Sequence, residues 1–126
     1  MLEADTTLES LMDTSVIETV LEDAGLPRVT RGADGYITSG GYEVVAHDDG
    51  TLTATWWPGP IGLDALADAR TDEPAAAEWT PAAQAVEIMA AAVEGLLVVH
   101  GYTVRRTTDA DGPLHWEGAR VITGRR

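Results

Sequence analysis

The sequence predicts an α+β fold: an antiparallel sheet of five to six strands, with one long and one shorter helix packed on one face. Three observations carry that prediction. Apolar residues recur at helical spacing in two separated stretches, 16–21 and 82–96. Between and after them lie short runs rich in β-branched and aromatic residues. The runs are divided by glycine-bearing turns: Ala33-Asp34-Gly35, Ser39-Gly40-Gly41, Asp48-Asp49-Gly50 and Asp109-Ala110-Asp111-Gly112. A chain of 126 residues makes a single domain, 1–126, that closes a core without a disulfide or a metal.

After an acidic lead-in, 1–13, Ser15 and Glu18 are spaced as a capping box before Val16, Ile17, Val20 and Leu21, which share one helical face. Gly25 and Pro27 end that helix. From 28 to 57 the pattern predicts three strands in a meander. Tyr42, Val44 and Ala46 take one face and Leu52, Ala54 and Trp56 continue it across the Asp-Asp-Gly turn, leaving Glu43, Val45, His47, Thr53, Thr55 and Trp57 on the other. Residues 58–80 read as an irregular loop with a short helix at 63–70, and its length makes it the main candidate contact loop.

Thr80 as cap and Pro81 at the first position open a long helix that runs to about Val99. Its expected core stripe is Ala82, Val86, Met89, Val93 and Leu96. Gln84, Glu87 and Glu94 are its only polar side chains, so its apolar surface exceeds what one sheet face needs and points to a second subunit or a partner. A second hairpin is expected from 101–106 and 114–117 around Asp109 to Gly112, and a last strand at 119–123. Gly41-Tyr42-Glu43-Val44 and Gly101-Tyr102-Thr103-Val104 echo one another, as a duplicated helix-plus-hairpin unit would.

Acids number 21 against 8 bases, all arginine, for a net charge of −13. Lysine and arginine releasing counterions from phosphates is what drives nucleic-acid binding, so direct binding of that kind is not expected. Residues 1–25 hold acids without one base, whereas Arg105, Arg106, Arg120, Arg125 and Arg126 gather near the other end, the pattern of a charge dipole. A hydrated acidic shell suited to high salt accounts for the same composition. The acidic start does not resemble a signal peptide, and Glu87 and Glu94 interrupt the most apolar stretch. A cytosolic or virion setting follows, neither secreted nor membrane-bound.

Candidate chemistry is sparse. The run from Thr107 to Gly112 places carboxylates at alternate positions before a glycine, but the twelfth loop position is Gly118 where a calcium loop needs Glu. His47 beside Asp48 and Asp49, and His115 near Glu117, are unspecific acid-base pairs. The absence of cysteine removes thiol catalysis and thiolate zinc sites. No catalytic or metal-ligating residue and no cofactor is therefore assigned.

Trp56 and Trp57 occupy adjacent strand positions and cannot share one core, so Trp57 is either an exposed interface anchor or is covered by the 58–81 segment folding back over it. With Ile61, Leu63, Leu66 and Trp79 of the contact loop, and Arg105 and Arg106, it makes up the candidate interface. These features favour a non-enzymatic protein-interaction or assembly protein, an accessory or structural component of a phage or mobile element whose coding bias leaves no lysine, asparagine or phenylalanine. The alternatives are an acidic DNA-mimicking inhibitor of a nucleic-acid-binding protein, and a small enzyme using His and Asp.

Overall fold

A computed structural model of the chain describes residues 13–72 and 81–125. Helix α1, Thr14–Asp23, buries Ile17 and Leu21. Its cap is Asp13, whose carboxylate accepts from the Ser15 N–H at 2.8 Å and the Ser15 hydroxyl at 2.9 Å. The expected Ser15 box does not form, because a charged acceptor answers the positive helix end better than a hydroxyl does, and Glu18 reaches instead to Arg28 at 3.4 Å. Gly25, at φ 92°, closes the helix as expected, with the Leu26 N–H bonded to the Leu21 carbonyl at 3.1 Å.

Four strands, not three, lie between 28 and 57. β1 (Thr30–Arg31) and β2 (Ile37–Ser39) form a small two-stranded sheet. β3 (Gly41–Ala46) and β4 (Leu52–Trp57) pair antiparallel with Tyr42 opposite Trp56, Val44 opposite Ala54 and Ala46 opposite Leu52, so the two expected faces are correct. The Pro27–Arg28–Val29 segment lies along the free edge of β3, where Tyr42 N–H donates to the Pro27 carbonyl at 3.0 Å and Val29 N–H to that of Tyr42 at 2.9 Å. Only glycine fits at 41: a Cβ there would stand 2.5 Å from the Pro27 oxygen.

The segment expected to be irregular contains a 13-residue helix, α2 (Pro60–Asp72), entered through a proline. Residues 73–80, with Trp79 and the expected cap Thr80, lie outside the described residues. Helix α3 (Pro81–Val99) spans the predicted range, and Gly101 at φ 93° turns the chain into β5 (Tyr102–Arg106). The expected partner of β5 at 114–117 is wrong. Residues Asp109–Leu114 coil into 3-10 turns, and β5 pairs antiparallel with β6 (Ala119–Arg125). Strong local bonding within 107–111 forms that coil in place of a hairpin turn.

The main sheet has the order β3-β4-β6-β5, every neighbour antiparallel. Helix-strand-strand thus occurs twice, the second strands adjacent and the first strands at the edges, which gives the Tyr42 and Tyr102 echo a topological counterpart. Trp116 breaks it, since it lies in a loop while Trp56 lies on a strand.

α1 and α3 pack on the face that carries Tyr42, Leu52, Ala54, Tyr102 and Ile122, with Val93 and Leu97 supplied by α3. A smaller cluster joins Leu66 of α2 to Ala83 and Val86 of α3. The buried stripe of α3 is Ala83, Val86, Ala90, Val93 and Leu97, while the expected Ala82, Met89 and Leu96 are half-buried at its margin.

Val93→Asp should unfold the domain, because an unpaired buried carboxylate costs several kcal/mol of the roughly 5–15 kcal/mol that holds a domain together. Ile88→Asp, on the exposed side of the same helix, should shift stability by no more than about 0.5 kcal/mol. Equal thermal melts by circular dichroism for the two variants would reverse the orientation of α3.

Candidate interaction surfaces

Glu87 and Glu94, the two charged residues of α3, turn toward the sheet and meet Arg120 of β6, which is 1 % exposed. The Arg120 guanidinium donates from Nε to Glu94 at 2.7 Å, to the carbonyls of Glu117 and Ala119 at 2.9 and 3.0 Å, and toward Glu87 at 3.4 Å. Arg106, opposite Arg120 in the β5–β6 register, pairs with the same Glu87 carboxylate. With its charges paired at the flank, α3 shows the outside Gln84, Ala85, Ile88, Ala91, Ala92, Gly95, Val98 and Val99. Ile88 is 66 % and Val99 83 % exposed. By length and composition α3 is apolar enough to cross a membrane, but the five residues it buries in the core tie it to the domain.

A second surface is a cleft of about 370 Å³ at the Trp57 end of β4, on the opposite sheet face. Thr53, Thr55 and Ala119 line its floor, Leu63, Leu66 and Ala67 of α2 one wall, and Pro113, Leu114 and Trp116 the other. Trp57 is half-buried here and is not a free anchor. Its ring stacks on Trp116 with centroids 4.9 Å apart, its Nε1–H donates to Glu43 at 3.0 Å, and the Arg31 guanidinium lies 5.5 Å from its centroid while pairing with Glu43 at 3.2 Å.

The remaining sequence candidates separate. Leu63 lines the cleft, Leu66 is core, and Ile61 stands 88 % exposed on α2. Arg105 grips Asp111 through two bonds of 2.9 and 3.0 Å, so neither it nor Arg106 is a loose cation. Trp116 and the Arg120 pairing were missed, and the surplus apolar surface expected of α3 was not assigned to particular residues. Glu87 and Glu94 lie seven residues apart, two helical turns, and that spacing beside two strand arginines was the available signal.

His47 binds the Thr53 hydroxyl, and His115 lines a second cleft. That second, polar cleft holds Arg106, Thr107, His115, Trp116, Glu117 and Arg120. Thr107 Oγ1 lies 3.1 Å from His115 Nδ1, whose other ring nitrogen is 3.4 Å from Asp109, which has the outline of a nucleophile, base and orienter. The hydroxyl is already engaged, however. It donates to the Trp116 carbonyl at 3.1 Å and accepts the Trp116 N–H at 3.2 Å, so it clips the loop to β5. Among the described residues no group of His, Asp and Glu could hold a metal ion.

The Arg105 guanidinium first, and then the Thr108 N–H, hold the Asp111 carboxyl well below the usual carboxylate range. On the far side, Tyr42 hydrogen-bonds Glu22 and accepts from Arg28 at 3.3 Å; burial, then the Glu22 bond, push its hydroxyl up to about 12. Comparison of the chain with protein-family models, characterised proteins and solved structures gives no match.

A carboxyl whose folded value is depressed contributes stability in full above its unfolded value, near 3.9, and loses it as pH falls toward the folded one. Asp111→Asn should accordingly make melting temperature fall less steeply than in the parent between about pH 5 and pH 2. Parallel curves would mean that the Arg105 pair does not form. Trp57→Ala and Trp116→Ala, combined in a double-mutant cycle by urea titration, should couple by about 1 kcal/mol. Strict additivity would remove the stack.

Proposed function

We propose that this chain is a non-enzymatic interaction or assembly protein that works through the outward face of α3. One observation carries the reading: a 19-residue helix in a chain of net charge −13 spends both its carboxylates on Arg106 and Arg120 and turns Ile88 and Val99 to the outside. A surface helix of a domain that works alone carries its charges outward. A large exposed apolar strip on an acidic protein marks a place that something else covers. The setting, a phage or other mobile element, rests on composition alone.

The acidic mimic stands second. In its favour, Arg105, Arg106 and Arg120 are each tied to a carboxylate, and Arg120 is buried; Arg105 and Arg106 remain at the surface. Against it, the same pairs consume Asp111, Glu87 and Glu94, and Arg28 and Arg31 take Glu18, Glu22 and Glu43. Acid-base catalysis has least support, since the Thr107 hydroxyl beside His115 is already held by the Trp116 backbone.

A photo-crosslinking phenylalanine derivative at position 88, expressed in the native cellular setting, should trap protein on illumination, whereas the same group at the exposed Tyr36 should not. Equal yields from both positions, or none from 88, would remove α3 as the working surface.

A further inference from the structure

We propose that two copies of this chain pair through α3, the helices antiparallel about a two-fold axis level with residue 90, so that Ile88 of each copy seats among Ala91, Ala92 and Gly95 of the other. The inference rests on the reading that the outward face of α3 is covered, and it names the cover.

Gly95 is the first argument. Glycine inside a helix is less stable than alanine, and this helix is otherwise rich in alanine. Among the described residues nothing requires it: its φ is not positive, and a Cβ at 95 would meet no atom of theirs within 4 Å. The space above it is open, as it must be if a side chain from outside is to enter.

Spacing is the second. Ile88, Ala91, Ala92 and Gly95 stand at i, i+3, i+4 and i+7, the four corners of a hole on a helix surface. Three corners are small and one is large. An antiparallel two-fold axis level with residue 90 puts the large corner of each helix into the hole of the other, and the same operation lays Ala85 beside Gly95 and Pro81 beside Val99. The contact is isologous, one surface serving both sides.

Charge decides the kind of partner. A basic partner would be met by unpaired carboxylates, and both carboxylates of α3 are already paired with Arg106 and Arg120 at the flank of the helix. Two copies each of charge −13 repel wherever acids face acids, and the outward face of α3 carries none. One helix crossing falls short of the roughly 800 Å² per partner of a standard stable interface, so the pair is weak, with a dissociation constant in the micromolar range. Salt screens the repulsion and leaves the apolar contact, so rising ionic strength tightens it.

Sedimentation of the purified full chain should show a monomer–dimer equilibrium that shifts to dimer between about 0.05 M and about 0.5 M NaCl. Gly95→Leu, which fills the hole while improving the helix, should weaken the dimer about tenfold or more without lowering the melting temperature. The chain has no cysteine, so Ala92→Cys and Val99→Cys can each carry one spin label. In the antiparallel pair the two 92 positions are offset by about 6 Å of helix rise and the two 99 positions by about 27 Å.

Equal short distances at both sites would mean a parallel pair and overturn the arrangement. A monomer at every concentration and salt overturns the proposal, as does binding of that monomer to phosphatidylcholine vesicles, which would assign the face to lipid. If position 88 crosslinks only to a different protein and no dimer sediments, this inference falls while the interaction reading stands.

Discussion

The rotation of α3 about its own axis is set by one guanidinium. Arg120 lies on the central strand β6, directly opposite Ala54 of β4, whose small side chain leaves room beneath the helix. A charge buried that deeply is tolerated only when its donors are met, and removing a partner from such a group costs several kcal/mol. Two backbone carbonyls beside it satisfy one nitrogen; the others need carboxylates, which only α3 supplies at that height. Glu87 and Glu94 must therefore face the sheet. Once they do, the 3.6-residue period sends Ile88, Ala92, Gly95 and Val99 to the outside. The exposed apolar face is a geometric consequence of the buried arginine.

The connection between β5 and β6 organises the other sheet face. Residues 107–118 are too long for a tight hairpin and are fixed at three points: Asp111 on Arg105, Thr107 on the Trp116 backbone, and the Trp116 ring on Trp57. Gly118 lets the ring in, since a Cβ there would stand 2.4 Å from it. Trp116 then meets Leu66, Val86 and Trp57, and so links α2, α3 and β4. The apolar cleft is the space left between α2 and this anchored connection.

What the sequence made legible was local. The β3–β4 register followed from period-two alternation across an Asp-Asp-Gly turn, and the limits of α3 from Pro81 and Gly101, because each signal sits within a few residues of what it specifies. What it hid depended on distant partners. The strand pairing with β5 begins at 119, not 114, since Asp111 closes its own coil on Thr108 and Arg105. Alternation shows that Trp57 leaves the main core and leaves open whether it is an anchor or covered by the 58–81 segment; it cannot show Trp116 and Glu43 waiting for it. Glu87 and Glu94 stood out in the sequence only as polar side chains on an otherwise apolar helix, and period alone does not say what they pair with. The partner is a buried arginine 26 residues from Glu94 in the chain.

Arginine use also settles where this acidic chain can tolerate contact. Arg28, Arg31, Arg105, Arg106 and Arg120 are each tied to carboxylates of their own chain, and Arg125 lies on the Tyr102 ring at 4.9 Å. The charge dipole expected from the sequence is thereby weakened, because bases near the carboxyl end are answered within the fold. Left over are carboxylates such as Asp23, Asp34, Asp48 and Asp49, exposed at helix ends and turns. Such a surface repels copies of itself and acidic partners alike, by an amount that falls off within about 10 Å at moderate salt. An approach along α3 meets Ala85, Ile88, Ala92, Gly95 and Val99 first, with the carboxylates of that helix paired to arginine at its flank. The arginine that stabilises the interior thus also clears one stretch of the exterior of charge, and fold and contact surface have a common origin.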